Sequence, residues 1–251
     1  MTPRSVLSAL HRQALCSLHT RPVPWGSRGP IVSFSFDDFP RTAYVVGGAI
    51  LKSLGVRGTY YAAAGLMSTS NKLGEQFCFE DIHSLLQEGH ELASHTFSHI
   101  SCRSVSGSIY QDDVDRGRKG IAEVAGVADS GNFAYPFGDV TLKIKRTLGP
   151  RMCSSRSIIP GLNGPDVDLN LLRANRLYGD LDQFGEAREL ILENEKRKSW
   201  LIFYSHDVCP RPSQYGCTPS LLESTVSFAI SRGCRVLTVR GVLAELGVRC
   251  A

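Results

Sequence analysis

From Ile31 onward, short apolar runs of strand character alternate with longer stretches whose apolar positions recur every three to four residues. The strand-like runs are 31–36 (IVSFSF), 58–63, 90–95, 132–137, 152–158, 171–178, 200–206 and 235–239. In the first, Val32, Phe34 and Phe36 alternate with serines, the period-2 pattern of a strand with two different faces. Helical stretches are predicted at 42–55, 79–89, 109–126, 184–199 and 219–233, four of them closing on glycine. In 79–89, Phe79, Ile82, Leu85 and Leu86 share one face. Regular strand–helix alternation predicts parallel βα units and an α/β fold. About eight such strands can close into a barrel or lie open as a doubly wound sheet. No G-x-G-x-x-G follows the first strand and no phosphate-binding G-x-x-x-x-G-K-[ST] occurs, so the usual nucleotide reasons for an open sheet are missing.

Composition narrows the class. The 251 residues are 42% hydrophobic and 21% charged, enough apolar material for one large domain with a sizeable core. The net charge of +4 is spread rather than blocked, which argues against a nucleic-acid partner. No run approaches the ~18 apolar residues of a membrane span, so no transmembrane segment is expected. Residues 1–30 contain four arginines, four prolines and no acidic residue, and lack the apolar centre of a secretory signal. They read as a loosely attached N-terminal extension, with an organelle transit peptide as the alternative. The main domain is then 31–251 and the expected location cytoplasmic. Eight cysteines without a C-x-x-C suggest reduced thiols rather than a structural zinc cluster, although Cys209 and Cys217 flank one Pro-containing loop.

Polar chemistry collects at predicted strand ends. The first strand ends in Asp37-Asp38, the third runs into SHTFSH, the fourth into YPFGD and the seventh into YSHD. His95, His99 and His206 lie at these ends, whereas His11, His19, His83 and His90 have no such placement. Histidines four apart face one side of a helical turn and suit a shared metal ion. The metalloprotease pattern H-E-x-x-H would need Glu at 96, where Thr96 stands, so a base must come from elsewhere. One carboxylate of the Asp doublet with two imidazoles makes a three-ligand set, and the second carboxylate is then free as a general base. The plainer alternative is an Asp-Asp turn before Pro40.

SFDD, HTFSH, YPFG and FYSHD, in this order and spacing, resemble the signature motifs of the polysaccharide deacetylase family of metal-dependent carbohydrate esterases, with homology to chitooligosaccharide deacetylases. The resemblance spans roughly residues 31–245. It implies a distorted, incomplete (β/α) barrel of about seven to eight mostly parallel strands. It further implies removal of acetyl groups from an N-acetylated sugar or glycan substrate. In that likeness Asp37 is the base, and Asp38, His95 and His99 hold a divalent metal: zinc first, with cobalt, manganese or nickel as alternatives. His206 is the acid, the Phe137 backbone N–H stabilises the oxyanion, and Tyr135 and Pro136 shape the substrate-binding wall.

Two departures stand out. The third motif of the family often carries an arginine that pairs with the base, but here it reads FAYPFG, with Ala134 and Tyr135. The Asp and Trp cluster of the fourth motif is absent from LLRANRLYGD. Arg173 and Arg176 point to opposite faces of that strand, and Arg176 is the expected orienting residue. Asp207, next to His206 on a strand, is expected to point away from it. Two further readings follow from the same residues: hydrolysis of a formyl-sugar or cyclic ureide, or a catalytically degenerate carbohydrate-binding relative.

Overall fold

A computed structural model describes residues 11–127 and 130–248. Each of the eight predicted strand regions contains a strand. In chain order the elements begin with β1 (Pro22–Pro24) and β2 (Ile31–Asp38). A π-helical turn at Ala43–Gly48 then leads into α1 (Ala49–Ser53), followed by β3 (Thr59–Ala62). A small hairpin of β4 (Ser70–Asn71) and β5 (Gly74–Glu75) precedes α2 (Phe79–Gln87), β6 (Glu91–Ser94) and α3 (Gly107–Ala125). Next come β7 (Asn132–Ala134), α4 (Leu142–Leu148), β8 (Ser154–Arg156), β9 (Asp166–Asp168) and β10 (Asn175–Arg176). The chain closes with α5 (Phe184–Arg197), β11 (Trp200–Ser205), α6 (Pro219–Ser231), β12 (Arg235–Val236) and α7 (Val239–Glu245).

The main sheet runs β10-β11-β2-β3-β6-β7-β8, all pairs parallel, with β12 beside the start of β2. It curls into a distorted, incomplete (β/α) barrel. A parallel bridge from Arg156 to Leu172 narrows the gap between β8 and β10. The alternation legible in β2 sorts the core. Val32, Phe34 and Phe36 pack outward with Leu51, Leu221 and Leu222 of the helical layer. Ile31 points inward with Trp200 and Ile202. The lower end of the barrel is polar and closed. Glu91 is fully buried and accepts hydrogen bonds from Thr59 Oγ1 (2.9 Å), Asn132 Nδ2 (2.6 Å) and Arg240 N–H (2.8 Å). Buried carboxylates persist only with such partners.

The N-terminal extension is not loosely attached over its described part. β1 pairs antiparallel with β9, and Trp25, 2% exposed, stacks on Trp200 at 6.3 Å. The buried Lys145 ammonium donates to Leu15 O and Asp168 Oδ2, both at 2.7 Å, and Asp168 also accepts from Arg21 N–H at 2.9 Å. A leader that supplies partners to a buried cation is part of the packed structure. Its first ten residues lie outside the described ones. α4, α7, the β4–β5 hairpin and the β1–β9 ribbon escaped the periodicity reading because each is short. Cys209 and Cys217 are brought together, the Cys209 N–H donating to Cys217 O at 3.2 Å, yet both thiols are free. No helix among the described residues is long and apolar enough to cross a membrane.

Candidate active site

The upper, carboxyl-terminal ends of the strands surround a cleft of about 630 Å³. Asp37, Asp38, His95, His99, Phe137 and His206, placed by four different strand ends, all line it. Strand alternation alone would turn Asp37 and Asp38 to opposite faces. Asp38 and Phe39 instead both take left-handed backbone (φ 63° each), so the chain swings as β2 ends and both carboxylates reach the cleft.

Asp38 Oδ1 lies 2.9 Å from His99 Nε2 and 3.4 Å from His95 Nε2. One ligand atom from each of the three residues falls within 4.8 Å of the others. His95 Nδ1 sits 2.8 Å from Ala134 O, which fixes the proton on Nδ1 and leaves the Nε2 lone pair facing Asp38. Burial raises the cost of ionising Asp38, but hydrogen bonds and charge from the two imidazoles outweigh it and hold its carboxyl well below the usual range. Burial also pushes the His95 imidazolium pKa down, against the pull of Asp38. The Asp38 carboxylate and the His95 Nε2 lone pair converge with His99 Nε2 on one point that a cation would satisfy. These residues fit a metal.

His95 and His99 are not on a helical turn. His95 follows β6, and the loop to His99 passes through left-handed Thr96 (φ 66°) and His99 (φ 51°). This loop is clamped from α3. The Asp113 carboxylate accepts from Phe97 N–H (3.1 Å), Ser98 N–H (3.0 Å) and Ser98 Oγ (2.8 Å). α3 approaches so closely that a Cβ on Gly117 would lie 2.4 Å from the Thr96 carbonyl. Asp113 escaped the sequence reading; its signal was a carboxylate on an otherwise polar helix, indistinguishable from a solvated one.

Asp37 is held by Arg156, whose Nη2 donates to Asp37 Oδ1. Both side chains are buried, and the guanidinium also lies over the Tyr61 and Tyr204 rings at 4.9 and 5.2 Å. Arg176 is not this residue. It is two-thirds exposed and faces Glu186 at 3.9 Å, because its position on β10 turns it away from the barrel interior. Arg156 was visible as the arginine of run 152–158, but nothing in the linear order marks it as the partner of Asp37. The sheet register does: Arg156 is the direct neighbour of Ala134 across β7–β8, so the cation sits one strand over from the third-motif position.

His206 Nδ1 lies 3.1 Å from Tyr215 O, a carbonyl that fixes its tautomer. Asp207 turns away, as expected, and accepts from Ser213 N–H and Oγ (2.7 and 2.5 Å). Phe137 is 60% exposed, holds left-handed backbone (φ 60°) and leans on His99 with ring centroids 4.5 Å apart. Tyr135 and Pro136 do not form the wall. Both are buried, and Tyr135 packs edge-on to Phe133 at 5.3 Å. Along β7, Ala134 faces inward, so its neighbours 133 and 135 face the helical layer. The wall is made by Phe137, Gly138, Ile158, Tyr178, Tyr204 and Tyr215.

The polysaccharide deacetylase family model matches residues 26–149, the segment that carries Asp37, Asp38, His95, His99 and Phe137. Over this segment, just under half of its length, the chain is similar to the polysaccharide deacetylase family. His206 and Arg156 lie beyond the matched segment. Among solved structures, the Xyl-CE4 domain of a multidomain xylanase from the hindgut metagenome of Trinervitermes trinervoides is similar at 17% identity, with TM-score 0.61, covering 88% of this chain and 93% of that one. PdaA of Bacillus subtilis, a family 4 carbohydrate esterase, is similar at 12% identity and TM-score 0.57, covering 95% and 89%. BA3943 of Bacillus anthracis, a pseudoenzyme of the same esterase family, aligns at 12% identity and TM-score 0.52, covering 86% and 66%. At these identities the structural likenesses concern the fold. No curated protein sequence matches the chain.

Proposed function

We propose that this protein is a metal-dependent hydrolase that removes acetyl groups from N-acetylated sugars or glycans. The observation that carries the proposal is the convergence of Asp37, Asp38, His95, His99 and His206 on one cleft, with the Asp37 charge matched by a buried arginine. The family match over 26–149 supports a carbohydrate deacetylase; retention of all five groups argues for turnover rather than for a pseudoenzyme.

Asp38, His95 and His99 would hold the metal, and the two-imidazole, one-carboxylate set favours zinc over calcium or magnesium. A divalent ion bound there supplies Lewis acidity near a substrate carbonyl and a water. The chain's own groups do the rest. Asp37, oriented by Arg156, accepts the proton of the attacking water. The Phe137 N–H donates to the developing oxyanion; loss of one such donor costs ~2.7–4 kcal/mol in comparable sites. His206, its Nδ1 proton committed to Tyr215 O, exchanges protons through Nε2 and delivers one to the departing amine. Burial raises the Tyr178 and Tyr204 phenols, so both stay protonated as hydrogen-bond donors on the wall.

Acetate release from a panel of N-acetylated oligosaccharides, after metal stripping and re-addition of zinc, cobalt or manganese, tests this reading. Metal-dependent release that Asp37→Asn abolishes while metal content is unchanged is the expected result. Tight metal binding without release from any sugar would move the assignment to another amide; absence of both would leave a carbohydrate-binding relative.

A further inference from the structure

Two segments that line the cleft from different strands are fastened together by one carboxylate. Asp139 closes the motif YPFGD, and none of the chemistry above uses it. Its Oδ2 accepts from Ser101 Oγ at 2.5 Å and its Oδ1 from Arg103 Nε at 3.1 Å. Two contacts to backbone carbonyls run along the same seam: Cys102 Sγ donates to Asp139 O at 3.3 Å, and Arg103 Nη2 to Val140 O at 3.2 Å. The seam ties the residues just after His99 to those just after Phe137.

The turn held this way is conformationally costly. Phe137 and Gly138 are both left-handed, with φ of 60° and 67°. Glycine adopts that backbone freely, but a phenylalanine stays there only where its surroundings hold it. Inside the turn, Gly138 N–H donates to Tyr135 O at 2.9 Å and Asp139 N–H to Pro136 O at 3.0 Å. These bonds shape the turn without fixing it against the histidines, which arrive from β6. Ahead of the turn, Ala134 O meets His95 Nδ1 at 2.8 Å; behind it, Asp139 meets the loop that follows His99. The turn is thus pinned at both ends to the segment carrying the two imidazoles, and Asp139 is the second pin. The Asp113 clamp is separate, holding Phe97 and Ser98 to α3.

We propose that Asp139 is a positioning residue: it sets the Phe137 N–H against the His95–His99 loop, so that this donor meets the oxyanion forming beside the Asp38, His95 and His99 set. The proposal rests on the deacetylase reading. An oxyanion donor works only where the charge develops, and a displacement of about 1 Å costs on the order of a hundredfold in rate. Ground-state binding of the sugar makes no such demand, so the effect falls on kcat rather than on KM.

The experiment compares wild type with Asp139→Ala, Asp139→Asn and Ser101→Ala, all zinc-loaded, on an N-acetylated oligosaccharide that wild type turns over. Asp139→Ala should lose about a hundredfold in kcat, with KM within about twofold and zinc content unchanged. Asp139→Asn keeps an acceptor for Ser101 Oγ and should return to within about tenfold of wild type. Ser101→Ala removes one hydroxyl, leaves Asp139 on Arg103, and should lose about tenfold in kcat; it carries the test if Asp139→Ala does not fold. A carboxylate that only stabilises its loop would lower the thermal midpoint and leave the kcat of the folded protein unchanged. That result, or a rise in KM that accounts for the whole loss, would overturn the proposal. Amide hydrogen exchange on the metal-free protein reads the same clamp without turnover. Gly138 and Asp139 should exchange at least about tenfold faster in Asp139→Ala, while Phe97 and Ser98 keep the wild-type rate. If no sugar releases acetate, the deacetylase reading fails and exchange alone decides: selective loss at the turn supports the positioning role, and equal protection or uniform loss across both loops overturns it.

Discussion

Replacing Arg156 with alanine strikes the one buried ion pair that the proposed chemistry depends on. The side chain is fully buried and Asp37 is 6% exposed, so water cannot take over the role of the guanidinium. Removing one partner of such a pair costs ~3–5 kcal/mol, because the remaining charge is left uncompensated. Loss of the contacts over Tyr61 and Tyr204 adds ~0.5–1 kcal/mol each. Against this, Arg156 Nε and Nη1 have no protein partner, and deleting them relieves ~1–3 kcal/mol of unmet desolvation. The balance is a destabilisation of about 3 kcal/mol, or ~6–12 °C in thermal midpoint for a chain of this size. Thermal unfolding in chelator, followed by acetate release after metal is restored, measures both effects. Activity should fall by at least a hundredfold while metal content stays near wild type. The adjacent register of Ala134 and Arg156 adds a second readout: Ala134→Arg in the Arg156→Ala background should recover part of both losses. An Arg156→Ala protein that melts within about 2 °C of wild type and keeps half its rate would refute the role assigned to this pair.

Four further substitutions test the metal site and the fold. His99→Ala should abolish stoichiometric zinc retention through a desalting column, with an unchanged circular dichroism spectrum; full zinc content in that variant would remove His99 from the ligand set. Gly117→Ala places a methyl 2.4 Å from the Thr96 carbonyl, and Asp113→Ala frees the Phe97 and Ser98 amides. Each should weaken zinc affinity by ~10–100-fold in chelator competition, as loss of outer support does elsewhere, and unchanged affinity in both would mean the loop holds itself. His90 is fully buried, accepts from Gly58 N–H at 3.0 Å, and is pushed down to about 4 by burial, with Arg57 adding to the effect. The unfolded chain therefore binds the proton first: stability is complete above pH 6.5 and falls as pH drops toward 4, by up to about 3 kcal/mol. Urea unfolding at pH 7, 5 and 4 should show this slope, and His90→Asn should flatten it; an identical slope in the variant would assign the acid sensitivity elsewhere.

The sequence by itself determined what local pattern can carry. Eight strand regions, the parallel α/β class and the positions of Asp37, Asp38, His95, His99 and His206 were legible, because strand period, helix period and motif spacing are all short-range. Short range also explains the misreadings. Histidines four apart suggested a helical turn, yet left-handed Thr96 and His99, clamped from α3, form a loop. Tyr135 sits inside a motif, which suggests the cleft wall, whereas the inward face of β7 belongs to Ala134. Arg176 has suitable chemistry on a strand that turns it outward, while Arg156, which belongs to none of the motifs, reaches Asp37. The leader looked unattached because its partners, Lys145, Asp168 and Trp200, are more than a hundred residues downstream. Which side chain meets which across strands is a matter of register and of barrel curvature. Those arise only when the sheet closes, so pairings such as Asp37 with Arg156 belong to the tertiary structure alone.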